Sequence, residues 1–225
     1  MNTANRLNSV KEYYFSKKLR EIEELKKQGV DVINAGIGSP DLEPDNSVIK
    51  ELKEQSAKEG AHKYQSYKGL PELRSAFSLW YKNYFKCNLN PDNEILPLMG
   101  SKEGIMHISL AFLNKSDEVL IPDPGYPTYA AAAKMVEANV IKYDLKEENS
   151  WLPCLKSIEK NNLEKVKIMW INYPHMPTGA SANDRNLIDI IEFGKKHDIL
   201  ICNDNPYAFI LNNDQKSILQ FRNIY

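Results

Sequence analysis

The stretch Val166-Lys-Ile-Met-Trp-Ile-Asn-Tyr-Pro-His-Met-Pro-Thr-Gly179 runs from an apolar segment into a turn that holds two prolines and a glycine. Up to Asn172 only Lys167 interrupts the apolar character, so a strand over Val166–Asn172 presents greasy side chains to both of its faces. Such a strand belongs inside a sheet covered above and below, which is the habit of parallel sheets. The turn raises a second question: Met176 sits at its crest, where polar groups usually stand.

Working outward, helical and strand patterns trade places on both sides of this stretch. Upstream lie a strand candidate over Ile95–Met99, a helix over Ser101–Leu113 and a strand over Glu118–Pro122. A helix over Tyr126–Ala138, a strand over Val140–Tyr143 and a helix over Leu155–Asn161 follow. Downstream, Asp184–His197 reads as a helix and Ile199–Asn203 as a strand. This rhythm predicts an α/β fold, a mainly parallel central sheet with helices on both faces. In such sheets ligands gather beyond the carboxyl ends of the strands.

The earlier part of the chain has a different texture. Leu19, Ile22 and Leu25 recur at helical spacing within Ser9–Lys27, an amphipathic arm that includes the aromatic run Tyr13-Tyr14-Phe15. The glycines and proline of Gly36-Ile-Gly-Ser-Pro-Asp41 forbid regular structure. A helix is predicted from Ser47 to about Gly60, and another over Glu72–Phe85 with Leu73, Phe77, Trp80 and Tyr84 on one face. The expected division is an arm and gate segment over residues 1–45 and an incomplete large domain over 46–225.

At 225 residues and 42% hydrophobic content, the chain is long enough to bury a real core. Its 29 basic and 30 acidic side chains are spread along it, so no basic face points to nucleic acid. No apolar run approaches the ~18 residues of a membrane helix. Three widely spaced cysteines, Cys87, Cys154 and Cys202, without a secretory leader, suggest a reducing cytoplasm. Cys202 reads as a buried small hydrophobe. The four histidines fall on separate elements, and no metal site is expected.

Three strand ends carry chemistry. Past the first candidate strand, Gly100-Ser101-Lys102 enters a helix whose first amides, Ser101 cap and Lys102 could hold an anion, although any helix welcomes such a serine. Past the second, three prolines and a glycine in Pro122-Asp-Pro-Gly-Tyr-Pro-Thr-Tyr129 hold Tyr126 stiffly, either as a flat face for a planar ligand or as a plug between loop and sheet. Past the last, Asp204 places a carboxylate at the edge of a buried sheet, where it needs a cationic partner or serves as a helix cap.

These stretches, in order, resemble the class I/II aminotransferases, the fold-type-I family that uses pyridoxal 5′-phosphate. The likeness is closest to the aspartate and LL-diaminopimelate aminotransferase branches. It rests on YYFSKKLREI, INAGIGSPD, YQSYKGLPELR, GSKEGI, PDPGYPTY, NYPHMPTGA and NDNPYAFI, which together span nearly the whole chain. The resemblance implies amino-group transfer from an amino acid to a 2-oxo acid, with a C–S β-lyase or a non-catalytic remnant as alternatives on the same fold. It assigns Ser101 and Lys102 to the cofactor phosphate, Tyr126 to stacking on the pyridine ring, Asp204 to the ring nitrogen and Tyr207 to the phenolic oxygen. Tyr64 is assigned to a neighbouring subunit's phosphate across a homodimer interface. Tyr14, Ile37 and Gly38 are assigned to the substrate.

Two departures from the family pattern stand out. Met176 occupies the cofactor-contact position where the family usually has asparagine, a donor to the phenolic oxygen. A thioether cannot donate, which forfeits roughly 0.5–1.5 kcal/mol unless His175 or Asn172 turns in. The resemblance also implies a lysine bonded covalently to the cofactor, and a small C-terminal domain with a substrate-binding arginine, both beyond Tyr225. Lys216 lacks the context of that lysine and is not given its role, so no catalytic residue is assigned.

Overall fold

A computed structural model describes residues 1–222, apart from residues 11, 37 and 39 and the side chain of Ser9. The contacts divide the chain into two units, residues 10–67 and residues 1–9 with 68–225. The boundary expected at 45/46 falls inside the first unit.

The larger unit is built on four strands: β1 (Glu118–Asp123), β2 (Asn139–Asp144), β3 (Val166–Ile171) and β4 (Leu200–Asn203). All pairings are parallel and the strand order is β2-β1-β3-β4. The helices of this unit are α3 (Pro71–Phe85), α4 (Ser101–Phe112), α5 (Pro127–Met135), the single turn α6 (Leu155–Ile158) and α7 (Asp184–Lys196).

Side-chain alternation explains why both faces are covered. Along β1, Val119 and Ile121 point to one face and Leu120 to the other; along β3, Ile168 and Trp170 oppose Met169 and Ile171. The first set packs with Ile105 of α4 and with Tyr129, Ala132 and Ala133 of α5. The second packs with Ile158 of α6 and with Leu187, Ile190 and Phe193 of α7. The steps β1-α5-β2 and β3-α7-β4 leave the centre of the sheet in opposite directions. Right-handed crossovers then put α5 and α7 on opposite faces and leave a crevice where β1 and β3 end.

Ile95–Met99 differs from expectation: it is irregular and pairs with none of the four strands. Pro97 removes a donor from its middle, and Leu96, Leu98 and Met99 are exposed. Several helices are shorter than their patterns suggested. The α5 helix stops at Met135 because Glu137 adopts a positive φ of 61° before the turn into β2.

In the unit over residues 10–67, α1 (Tyr14–Lys27) and α2 (Asn46–Ser56) are amphipathic, yet neither buries a residue. Asp45 caps α2 by accepting from the Ser47 amide at 2.8 Å. The arm helix, expected from about Ser9, begins as α1 at Tyr14, and residue 11 lies outside the described residues; Asn5–Ser9 forms a 3-10 turn that belongs to the larger unit. Among the described residues no helix is long and apolar enough to cross a membrane.

Candidate active site

The loop after β1 is set by Gly125. A Cβ there would lie 2.5 Å from the Pro122 carbonyl oxygen, so only glycine lets the chain turn this tightly. The turn delivers Tyr126 to the N-cap position of α5, with Pro127 as the first helical residue. One helical turn on, Tyr129 lies on the same face, its ring edge-on to that of Tyr126 at 5.6 Å between centroids. Tyr129 is fully buried and stacks on Trp170 of β3, with centroids 5.0 Å apart and ring planes 5° from parallel. Its hydroxyl donates to Oδ2 of Asp204 at 2.9 Å.

The loops after β3 and β4 are stitched together. The Asp204 amide donates to the Ile171 carbonyl at 2.9 Å, extending the β3–β4 ladder by one bond. Asn172 is buried and uses both ends of its carboxamide: Nδ2 donates to the Asp204 carbonyl at 2.6 Å, and Oδ1 accepts from the Met176 amide at 2.7 Å. Asn172 therefore braces the crevice from beneath, and its oxygen holds Met176 by the backbone.

His175 is equally constrained. It is 2% exposed, and its Nδ1 lies 2.8 Å from the Thr178 hydroxyl, within a turn closed by the bond from the His175 amide to the Ala180 carbonyl. Burial pushes the imidazole below its usual pKa, opposed by the nearby Pro124 carbonyl, and Nε2 closes no hydrogen bond of good geometry. Burial also pushes the Cys202 thiol up to about 12, an inert group in the core with Tyr129 and Trp170.

Asp204 carries the electrostatics of the crevice. Burial raises its carboxyl above the usual carboxylate range, and the Tyr129 hydrogen bond opposes that rise. Tyr126 and Tyr207 both lie close enough to raise the Tyr129 phenol electrostatically, which places all four groups at one end of the sheet. Among the described residues no group bonds Oδ1 of Asp204. A partly buried carboxylate without an ion-pair partner fits a site that receives a cation from a ligand.

The N-terminus of α4 approaches from the same face. Its residue Ile105 shares a core with Tyr126 and Tyr129. Gly100, at φ 110°, holds the N-cap position and no side chain caps the helix. Ser101 is thus the first helical residue, correcting the expectation that it caps α4. Glu103 reaches back instead, accepting from the Met99 amide at 2.7 Å. Ser101 and Lys102 are exposed.

The remaining expected site residues belong to the unit of residues 10–67 or make other bonds. Tyr64 and Tyr14 are exposed within the unit of residues 10–67, where the Lys18 ammonium sits 5.7 Å from the Tyr14 ring centroid. Gly38 has open space where a Cβ would point, and Ile37 lies outside the described residues. Lys216 pairs with Asp184 at 2.6 Å and Asp214 at 3.0 Å, which raises its ammonium pKa. Among the described residues no group of three His, Cys, Asp or Glu side chains could hold a metal ion. Sequence reasoning missed Tyr129 and the role of Asn172. The only advance signal for Tyr129 was its place one helical turn after Tyr126.

The chain resembles known proteins along nearly its whole length. The LL-diaminopimelate aminotransferase of Dehalococcoides mccartyi strain BAV1 is 38% identical over 218 residues, covering 97% of this chain and 56% of that protein. The enzyme of the same description from Aquifex aeolicus is 40% identical over 219 residues, covering 96% of this chain and 57% of its own length. The chain therefore spans a little over half the length of these curated relatives. Among solved structures, apo-BacF from Bacillus subtilis superposes with a TM-score of 0.91 at 32% identity, covering 98% of this chain and 56% of BacF. The alanine aminotransferase from Pyrococcus furiosus gives 0.86 at 29% identity, covering 96% of this chain and 56% of that one. The profile described as aminotransferase class I and II matches residues 30–222, and the chain belongs to that family.

Proposed function

We propose that the complete protein containing this chain is a pyridoxal-phosphate-dependent aminotransferase, moving an amino group from an amino acid to a 2-oxo acid. The observation that carries the reading is Asp204: a partly buried carboxylate at the strand ends, with Oδ2 held by Tyr129, whose ring meets that of Tyr126. When bound, the cofactor supplies an electron sink for charge that develops at the substrate's α-carbon.

Each residue then has one task. The Asp204 carboxylate would accept a hydrogen bond from the protonated ring nitrogen and keep that proton in place. Tyr126 offers a flat aromatic face at low entropic cost, fixed by Gly125 and Pro127. The first turn of α4, with Ser101 and Lys102, receives the phosphate dianion through amides and charge. Tyr207 would donate to the phenolic oxygen. Met176 contributes shape at that oxygen, since its amide is bonded to Asn172 and its thioether has no proton to give.

Tyr64, wholly exposed within its own unit, would serve the phosphate of a second subunit in a homodimer. Tyr14, Ile37 and Gly38 would border the substrate. LL-diaminopimelate is the first amino donor to try, because the relatives at 38–40% identity carry that name. Three free cysteines suit a reducing, cytoplasmic setting.

The test is to load the complete protein with pyridoxal phosphate, record its visible absorption, and assay transfer from LL-diaminopimelate to a series of 2-oxo acids. We expect cofactor binding and transfer, with both lost or severely reduced in Asp204→Ala. Thiol release from an S-alkyl cysteine without amino transfer would replace this reading with the elimination chemistry.

A further inference from the structure

The sheet has a break in its ladder where the crevice opens. The carbonyls of Asp117, just before β1, and of Asp123 accept from the Asn139 and Leu145 amides on the β2 side, whereas the Glu118 amide donates to the Lys165 carbonyl on the β3 side. Odd-numbered residues of β1 therefore bond towards β2 and even-numbered ones towards β3. Alternation holds in β3 too: the Ile171 carbonyl accepts from the Asp204 amide on the β4 side, so the Trp170 carbonyl, one residue earlier, faces β1. Carried on from the pair Leu120–Met169, the register offers that carbonyl the amide of residue 122. Residue 122 is proline and has no N–H to give. Pairing of β1 with β3 accordingly stops at Leu120–Met169, while pairing with β2 runs on to Asp123–Asp144. The missing bond is supplied from two strands away. Tyr143 of β2, the register partner of Pro122, is buried, and its hydroxyl donates to the Trp170 carbonyl at 2.7 Å.

We propose that Tyr143 is a positioning residue for the crevice: its hydroxyl takes the place of the ladder bond that Pro122 cannot make and clamps β3 to β2 across the end of β1. The proposal rests on the reading of the crevice as a cofactor site and adds what sets its width. Without this bond the Trp170 carbonyl would be buried and unpaired. Nothing else would hold β3 to its neighbour where Trp170 carries the Tyr129 stack and Asn172 begins the loop that reaches Asp204. A phenylalanine at 143 would fill the same space in the core shared with α6 and α7, so packing alone does not account for the hydroxyl. Burial pushes the Tyr143 phenol well above its ordinary pKa, which keeps the proton on the donor at neutral pH.

The experiment is a double-mutant cycle on the complete protein with Tyr143→Phe, Pro122→Ala and the two combined, read both as the folding equilibrium constant and as affinity for pyridoxal phosphate. Alanine at 122 restores an amide hydrogen aimed at the Trp170 carbonyl. Tyr143→Phe alone should lower the folding constant about tenfold, for a buried carbonyl left unpaired, and cofactor affinity about fivefold, for a loosened crevice. In the Pro122→Ala background the same change should cost less than about twofold in either measure. Equal costs in both backgrounds would overturn the clamp. Coupling in folding with cofactor affinity unchanged in every variant would make the bond structural only, and the positioning role would fall. Should Tyr143→Phe not fold by itself, a folded double variant is the same rescue, and an unfolded one refutes it. A wild-type protein that binds no pyridoxal phosphate would instead sink the site reading, and the part of Tyr143 in that site with it.

Discussion

Two aromatic clusters in this chain look alike on paper and behave oppositely in the fold. Tyr126, Tyr129 and Trp170 meet at the strand ends, where Tyr129 is 1% exposed and hydrogen-bonded. Tyr13, Tyr14 and Phe15 also touch one another, with centroids 5.6 and 5.7 Å apart, yet they remain 43%, 63% and 38% exposed. The surroundings make the difference. The first cluster is delivered by a loop of prolines and glycine onto a sheet with two filled faces. The second opens a helix of alternating charge that buries nothing in this chain. Aromatic content marks neither a site nor a core; what fixes the ring does.

The largest expected effects separate the two regions. Leu187→Ala or Ile171→Ala, each in a fully packed face of the sheet, should destabilise by roughly 2–5 kcal/mol in denaturant unfolding of the complete protein. Leu19→Ala in α1, 40% exposed, should stay within about 0.5 kcal/mol. A large loss from Leu19→Ala would break the comparison, because it would mean that α1 is covered in the complete protein.

Gly125→Ala comes next. The added methyl meets the Pro122 carbonyl at 2.5 Å, and relief by backbone movement should destabilise by about 1–3 kcal/mol. It should also displace Tyr126, which cofactor absorption would reveal alongside the melt. Asn172→Ala strands two partners, the Met176 amide and the Asp204 carbonyl, for roughly 1–3 kcal/mol. An Asn172→Ala protein with wild-type stability would show that water replaces both bonds and that the two loops are less tightly joined than this reading holds.

The smallest effects are in pH dependence, where partly buried Asp204 and buried His175 pull in opposite senses. Asp204 has a raised pKa in the folded state, so the native protein holds the proton more tightly and stability falls as pH rises from the ordinary carboxylate range through the folded value. His175 has a lowered pKa, so the unfolded chain takes the proton first and stability falls as pH drops below the ordinary histidine value of 6.5. In the cofactor-free protein, Asp204→Asn should flatten the first decline and His175→Gln the second, read as melting temperature against pH. Parallel curves for wild type and His175→Gln would mean that His175 titrates normally.

Much of this was legible because the signals are local. The apolar run Val166–Ile171 specifies a strand covered on both sides, and the Pro-Gly-Tyr-Pro sequence specifies a stiff turn with Tyr126 at its end. The α7 start is equally readable, since Asn183 and Asn186 form a reciprocal capping box. What stayed hidden depends on groups far apart in the chain. The bond from Tyr129 to Asp204 spans 75 positions and that from Asn172 to the Asp204 carbonyl spans 32. No periodicity encodes either one. Ile95–Met99 misled for the complementary reason: an apolar run becomes a strand only when another strand accepts its hydrogen bonds, and Pro97 weakens its claim.

The reversal of winding between β1 and β3 gives the crevice two walls that answer to separate cores. Trp170 and Ile171 are neighbours in β3, yet the first belongs with α4 and α5 and the second with α6 and α7. Repacking behind Trp170 would move the aromatic wall of Tyr126 and Tyr129 while leaving α7 undisturbed. Repacking behind Ile171 would shift the floor beneath Asn172 and Asp204 without touching α5. The two walls meet in the bond from Tyr129 to Asp204, so drift in either set of packing residues reaches the ligand through that one joint, and a change behind one wall calls for compensation at the other only there.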